Sequence, residues 1–216
     1  MAKLKVAVLI SGSGSNLQAL IDMCAKDDAP AEIARVISNV ESAYGLERAK
    51  QADIKTTVID HKKYNGREAF EEALHQVLDS DKVDLICLAG FMRLLTDGFV
   101  QKWRDRLINI HPALLPSFKG LHTHERAIEA GVKFHGATVH YVRPAMDEGP
   151  IIVQAAVPVL PGDSADDLGA RVLEQEHRIY PLALKLIAER KVRVSGEKVI
   201  YNGVENLDTA SINPSA

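Results

Sequence analysis

The chain has 216 residues, 46% hydrophobic and 25% charged, which supplies a full-sized apolar core and argues against disorder. A formal charge of −3, with basic residues scattered along the chain, leaves no electrostatic footprint for a nucleic-acid partner. No apolar run approaches the roughly 18 residues of a membrane span, and nothing signal-like precedes Val6, so a cytoplasmic protein without a membrane partner is expected.

Val6 to Ile10 is a continuous apolar run, the pattern of a strand buried on both faces of a parallel sheet. A turn, Ser11-Gly12-Ser13-Gly14-Ser15-Asn16, follows, and then Leu17, Leu20, Ile21 and Cys24 recur at helical spacing. Ile33 to Ser38 reads as a strand, Tyr44 to Ala52 as a helix and Thr56 to Ile59 as a short strand. A helix is expected from about Arg67 to Leu78, a fourth strand over Asp84 to Ala89, and a fifth over Leu107 to Ile110, ending at His111. This alternation predicts an α/β fold with an open, mostly parallel, Rossmann-like sheet flanked by helices. Cys24 and Cys87 both sit in apolar surroundings and read as reduced, buried core thiols.

The pattern changes after His111. Pro112 to His124 contains two prolines and a glycine and reads as a long loop, a length that is usually functional or mobile inside a compact domain. Glu125 to Ala130 reads as a short helix. Gly136 to Val142 and Pro150 to Val159 are β-rich and pair naturally as antiparallel partners through the Arg143–Gly149 connection. Asp163-Ser164 caps a long helix with Leu168, Val172 and Leu173 on one face and Ile179, Leu182 and Leu186 further along. Lys191–Val194 and Val199–Tyr201 form a hairpin, an antiparallel C-terminal extension, and a polar tail begins at Glu205.

Two features carry chemistry. The first is the glycine loop between strand and helix, whose backbone can approach a ligand and whose free N–H groups attract an anion. It lacks the third glycine of a dinucleotide loop and the Gly-Lys-Ser/Thr of a P-loop. An ordinary tight turn, capped by Ser15 or Asn16, explains it equally well. The second is the pair Asn109 and His111, which share one face at the C-terminal end of an apolar strand, where open α/β sheets bind ligands; hydrogen bonds from both side chains to loop backbone would explain the pair equally well. Asp147 stands in the tight turn Met146-Asp147-Glu148-Gly149-Pro150, and on composition alone is a turn aspartate bonded to its own backbone. Were it beside His111, it would hold an imidazolium, and that cation with the Asn109 amide would stabilise an oxyanion, as acyl transfer requires. No serine or cysteine stands in a nucleophile context, which suits direct attack by a bound amine.

Four motifs then stand in order: Ser11-Gly12-Ser13-Gly14-Ser15-Asn16-Leu17, Leu88-Ala89-Gly90-Phe91-Met92-Arg93, Asn109-Ile110-His111-Pro112-Ala113-Leu114-Leu115-Pro116, and Asp147-Glu148-Gly149-Pro150. Over about residues 4 to 190 the chain resembles the phosphoribosylglycinamide formyltransferases, which use 10-formyltetrahydrofolate in purine synthesis. The resemblance implies a formyltransferase fold as a single domain over 1–216. Residues of about 1–111 would form a phosphate-binding half, 112–203 a folate-binding half with the catalytic loops, and 204–216 a polar tail. It further implies that Asn109 and His111 polarise the formyl oxygen, that His111 donates a proton, and that Asp147 orients His111 and assists proton transfer. Gly14, Ser15 and Asn16 would hold the substrate phosphate, and Glu176 would sit at its ribose and glycinamide end. Arg67 would contact the folate glutamate, Met92, Arg93, Leu94 and Leu95 would line the folate pocket, and Arg143, Pro144, Ala145, Met146 and Asp147 would bind the pterin-like head. Ala113 departs from the family, which commonly has Ser there.

The implied partners are two small molecules, phosphoribosylglycinamide and formyl folate, with no metal; a homo-oligomer is compatible with the sequence. His122 and His124 form a His-x-His pair without a third fixed ligand, and loop polarity is the simpler reading. His140 is expected to face the site, and Trp103 to pack in the core or an interface. The alternatives are a formyltransferase acting on another amine and a non-catalytic phosphate-binding module. A transfer-RNA enzyme would bring more positive charge and a further module. A formyl folate hydrolase would bring an extra N-terminal domain, for which the strand beginning at Val6 leaves no room. The phosphate module leaves Asn109, His111 and Asp147 unexplained.

Overall fold

The computed structural model describes residues 2–203, 211 and 213; the expected polar tail from Glu205 otherwise lies outside the described residues. Five parallel strands, β1 (Leu4–Ile10), β2 (Ala31–Ser38), β3 (Thr56–Val58), β4 (Leu85–Leu88) and β5 (Leu107–His111), are followed by β6 (Phe134–Tyr141), antiparallel to β5, and β7 (Ile151–Pro158), antiparallel to β6. The seven form one sheet in the order β3-β2-β1-β4-β5-β6-β7. A separate antiparallel hairpin, β8 (Val192–Ser195) and β9 (Lys198–Tyr201), follows the last helix.

Strand side chains alternate between two apolar cores. Val6, Val8 and Ile10 face α1 (Ser15–Cys24) and α6 (Ala165–Ala188), in a core that also takes Leu17, Leu20, Leu168, Tyr180 and Leu184. Ala7, Leu9, Ile86 and Leu107 face the other core, with Phe70, Leu74 and Leu78 from α3 (Arg67–Ser80) and Phe99 and Trp103 from or just after α4 (Asp97–Lys102). The remaining helices among the described residues are α2 (Gly45–Gln51), α5 (Thr123–Glu129) and a short 3-10 turn at His61–Lys63. α6 begins in a capping box: the Ser164 hydroxyl accepts from the Asp167 N–H, and the Asp167 carboxylate accepts from the Ser164 N–H.

The departures from the expected elements are local. α4 has no counterpart in the sequence reading, because six residues are too few for a helical period; its Thr96 cap, accepting from the Phe99 N–H at 3.2 Å, is the local signal. α5 begins at Thr123, two residues ahead of expectation. Leu173 and Leu182, expected on the apolar face of the long helix, are exposed, while Ala183 and Leu184 are buried in their stead. Trp103 is a core residue, with its indole N–H on His75 Nδ1 at 3.2 Å. Cys87 is fully buried, whereas Cys24 is only half-buried; burial pushes the Cys24 thiol up to about 11 and the Cys87 thiol higher still.

Candidate active site

From β1 the chain runs outward to β2 and β3, then returns to β4 on the other side of β1. The loops leaving β1 and β4 therefore part and open a crevice at the C-terminal edge of the sheet. A cavity of about 220 Å³ lies there, lined by residues 11–16, Ala89, Gly90 and Met92. Beside it, sharing Gly90 and Met92, a second space of about 370 Å³ extends over Asn109, His111 and residues 120–125.

The glycine loop is built for close approach. Gly14 has φ 71° and its Cα packs on Gly45; a Cβ would stand 2.6 Å from Gly45 Cα. Gly14, not Ser15 or Asn16, is the α1 N-cap, and it supplies no side-chain bond. The simple side-chain-capped turn is thereby removed as an explanation. The N–H groups of the first turn have no intrahelical partner, and no acidic residue stands among them, so the loop end is suited to an anion.

Glu176, 160 positions away in sequence, meets this loop: Asn16 Nδ2 donates to its Oε2 at 2.6 Å. The long helix α6 is responsible. The Tyr180 hydroxyl donates to the Leu88 carbonyl at 2.9 Å, and Glu176, one turn earlier, lies on the same face. Burial raises the Glu176 carboxyl above the ordinary carboxylate value, and the Asn16 bond partly offsets this.

Asn109 and His111 project from β5 as its period-2 pattern requires. Opposite Asn109 on β6 stands the buried His140. His140 Nδ1 lies 3.0 Å from the Tyr141 carbonyl and must donate to it, leaving Nε2 to accept from Asn109 Nδ2 at 3.4 Å. Burial lowers the His140 pKa, which favours this neutral form and orients the Asn109 amide.

His111 is buried between two loops. Its Nε2 lies 3.0 Å from the Phe118 carbonyl and its Nδ1 3.5 Å from Asp147 Oδ1, so both ring nitrogens face oxygen acceptors. Asp147 bonds the 112–122 loop as well, accepting the Gly120 N–H at 2.7 Å, and Lys119 pairs with Glu148 at 2.6 Å. Asp147 has φ 52°, tolerated by Asp, and Gly149 has φ 124°. Gly149 is required where it stands: a Cβ would lie 2.1 Å from the Tyr141 carbonyl oxygen. The Asp-x-Gly sequence is what returns this loop over the end of β6.

The other expected residues distribute unevenly. Met92, Leu94 and Met146 are strongly exposed apolar side chains; Met92 lines both cavities, and its N–H bonds the Ser11 hydroxyl at 2.8 Å. Arg93 and Leu95 belong to the same loop, whose Phe91 ring stacks on Phe70 of α3; exposed Arg67 opens that helix one turn earlier. Arg143, Pro144 and Ala145 border a separate open hollow, and the Arg143 guanidinium is committed to Asp105 and Glu197. Ala113 is fully enclosed, its carbonyl bonded to the Thr138 hydroxyl at 2.7 Å. His122 is exposed beside Glu125, whereas His124 packs edge-on against buried His135 at 5.3 Å. Among the described residues no three His, Cys, Asp or Glu side chains cluster as metal ligands, and no helix is long and apolar enough to cross a membrane. Sequence reasoning did not find Ser11 as the tie to Met92, nor the backbone groups of Phe118 and Gly120 that engage His111 and Asp147. Ser11 was legible only as part of its motif, and backbone partners leave no sequence signal.

Comparison with known proteins establishes the family. Residues 4–184 match the formyl transferase family. The chain is 48% identical over 199 residues to a Haemophilus influenzae phosphoribosylglycinamide formyltransferase, covering 92% of this chain and 94% of that one. It is 52% identical over 192 residues to the chicken trifunctional purine biosynthetic protein adenosine-3, covering 89% of this chain but only 19% of that protein's length. The crystal structure of glycinamide ribonucleotide transformylase 1 from Symbiobacterium toebii superposes with a TM-score of 0.89 at 48% identity, over 92% of this chain and 94% of that one. The chain belongs to the formyl transferase family.

Proposed function

We propose that the chain transfers the formyl group of 10-formyltetrahydrofolate to the amine of 5-phosphoribosylglycinamide, in the cytoplasm and without a metal. The observation that carries this reading is the meeting of Asn109, His111 and Asp147 beside a crevice whose other end is an anion cradle. Residues of about 1–111 hold the phosphorylated amine, and 112–203 contribute the folate and catalytic loops. Gly14, Ser15 and Asn16 take the phosphate, and Glu176 faces the end that bears the amine. Met92 to Leu95 and the backbone of 143–147 take the folate head, with Arg67 toward its glutamate. The exposed apolar Met92, Leu94 and Met146 suit a flat heteroaromatic ring.

The amine nitrogen adds to the formyl carbon as the carbonyl π pair moves onto its oxygen, and collapse of that oxyanion then breaks the bond from the carbon to the folate nitrogen. Negative charge gathers on the formyl oxygen, where Asn109 Nδ2–H and His111 Nε2–H donate. For this the oxygen takes the place of the Phe118 carbonyl at 3.0 Å from Nε2, so the 112–122 loop shifts as the substrates enter. Asp147 holds the His111 ring from its other nitrogen and assists removal of the proton that the amine loses, while the departing folate nitrogen gains one.

The test is formylation of phosphoribosylglycinamide by the purified chain. His111→Ala should lose turnover while calorimetry still records both ligands binding. Formylation of a different amine would reassign the substrate; binding of the phosphorylated amine without any transfer would favour a non-catalytic phosphate module.

A further inference from the structure

The hairpin of β8 and β9 lies beyond residue 184, where the match to the formyl transferase family stops. It nevertheless grips both roots of the loop that carries Asp147. At the first root, Arg143 Nε donates to Glu197 Oε2 at 2.7 Å, and Nη2 donates to Asp105 Oδ1 at 2.8 Å. Glu197 occupies the hairpin turn, and its other oxygen pairs with Arg104. At the second root, the Tyr201 hydroxyl of β9 donates to the Ile152 carbonyl of β7 at 2.6 Å. Asp147 lies between these two anchors.

The first anchor bears directly on the path of the loop. A Cβ on Gly149 would come within 3.0 Å of Arg143 Cγ, so the Arg143 stem forms one wall of the crossing over which the chain returns. Exposed ion pairs contribute little, but here one partner is enclosed: the Arg143 side chain is 7% exposed against 57% for Glu197. A buried guanidinium that loses one of two carboxylates turns toward water, because an uncompensated buried charge is unfavourable. Its planar fork, satisfied on two edges by Glu197 and Asp105, fixes the stem that Gly149 passes.

From these contacts we infer that Glu197 is a positioning residue, which holds Arg143 and thereby keeps the 143–149 loop placed with Asp147 against His111 and its backbone toward the folate head. The catalytic consequence rests on the proposed formyl transfer; the structural consequence rests on geometry alone. Tyr201 supports the same loop from its far side, so the hairpin is a brace for the catalytic turn.

Two variants test this, Glu197→Ala and Glu197→Gln. In hydrogen–deuterium exchange without ligands, Glu197→Ala should speed exchange across 143–149 by roughly tenfold and leave β1, α1 and α6 as in wild type. Glu197→Gln retains one hydrogen bond to Arg143 and should fall between the two. In steady-state transfer, the KM for formyl folate should rise and kcat should fall, each by about three- to tenfold, with the KM for the phosphorylated amine within about twofold of wild type. Wild-type exchange across 143–149 in both variants would overturn the inference. So would faster exchange spread evenly over β1 and α6, the mark of general loosening. If the wild-type chain transfers no formyl group, the proposed function fails while the exchange result still decides the role of the hairpin.

Discussion

Replacing Asp147 with Asn separates its two tasks. Its Oδ2 accepts the Gly120 N–H at 2.7 Å, and its Oδ1 faces His111 Nδ1 at 3.5 Å. An Asn side chain keeps one oxygen for Gly120, so the 112–122 loop stays tied and thermal stability should change by less than about 1 kcal/mol. Toward His111, however, it presents an N–H donor in place of a carboxylate. The ring must then accept at Nδ1, and positive charge that develops on it only during proton transfer lacks a counter-charge, so the loss falls on kcat and not on folding. At 3.5 Å the gross attraction is about 5 kcal/mol at an effective dielectric of about 20. Partial exposure and the amide dipole reduce the net loss. A fall in kcat of roughly 10²–10⁴-fold corresponds to about 3–5 kcal/mol, the same range. Steady-state formyl transfer at saturating concentrations of both substrates, with a thermal melt on the same samples, measures both quantities. A kcat within threefold of wild type at unchanged stability would refute the role given to Asp147. Asp147→Ala loses both tasks and should show a lower melting temperature besides.

Three further outcomes follow from the same geometry. Asn16→Ala should raise the KM of the phosphorylated amine by about tenfold with little effect on the folate KM, because Asn16 touches only the cradle and Glu176; equal effects on both would speak against a phosphate role for the loop. Glu176→Gln should raise the amine KM yet stabilise the protein: the folded carboxyl is raised by burial, so its favourable contribution is present at low pH and lost as pH rises through the folded value. The advantage of Glu176→Gln in thermal melts should therefore grow from pH 4 to pH 8, and a constant difference would contradict the assignment. His135, pushed down to about 4 by burial, contributes stability that is present above its unfolded value of about 6.5 and lost as pH falls toward about 4. His135→Phe should flatten the loss of melting temperature over that interval, and an unchanged slope would place the acid sensitivity elsewhere.

How much was legible in the chain depended on whether the signal was local. Apolar runs such as Val6–Ile10 declare buried strands, and β1 extends that run by only two residues. Ser164 and Asp167 write their own helix start, and the capping box is there. The paired spacing of Asn109 and His111 places both on one face of β5 without reference to anything distant. A six-residue helix such as α4 was not legible, since it completes fewer than two turns.

The sequence by itself therefore determined the alternation of strands and helices, the fold class and the motifs that mark a formyl transferase, because each arises from neighbours along the chain. Only the tertiary structure decided which distant groups meet. Asp147 reaches His111 because Gly149 can cross the end of β6, and Glu176 reaches Asn16 because Tyr180 sets the position of α6 on the sheet. The same holds for Arg143, for which the family resemblance implies a ligand contact and whose guanidinium packing commits to Asp105 and Glu197. Contacts between groups tens of residues apart depend on how helices and loops dock on the sheet, and no periodicity or spacing along the chain encodes that docking.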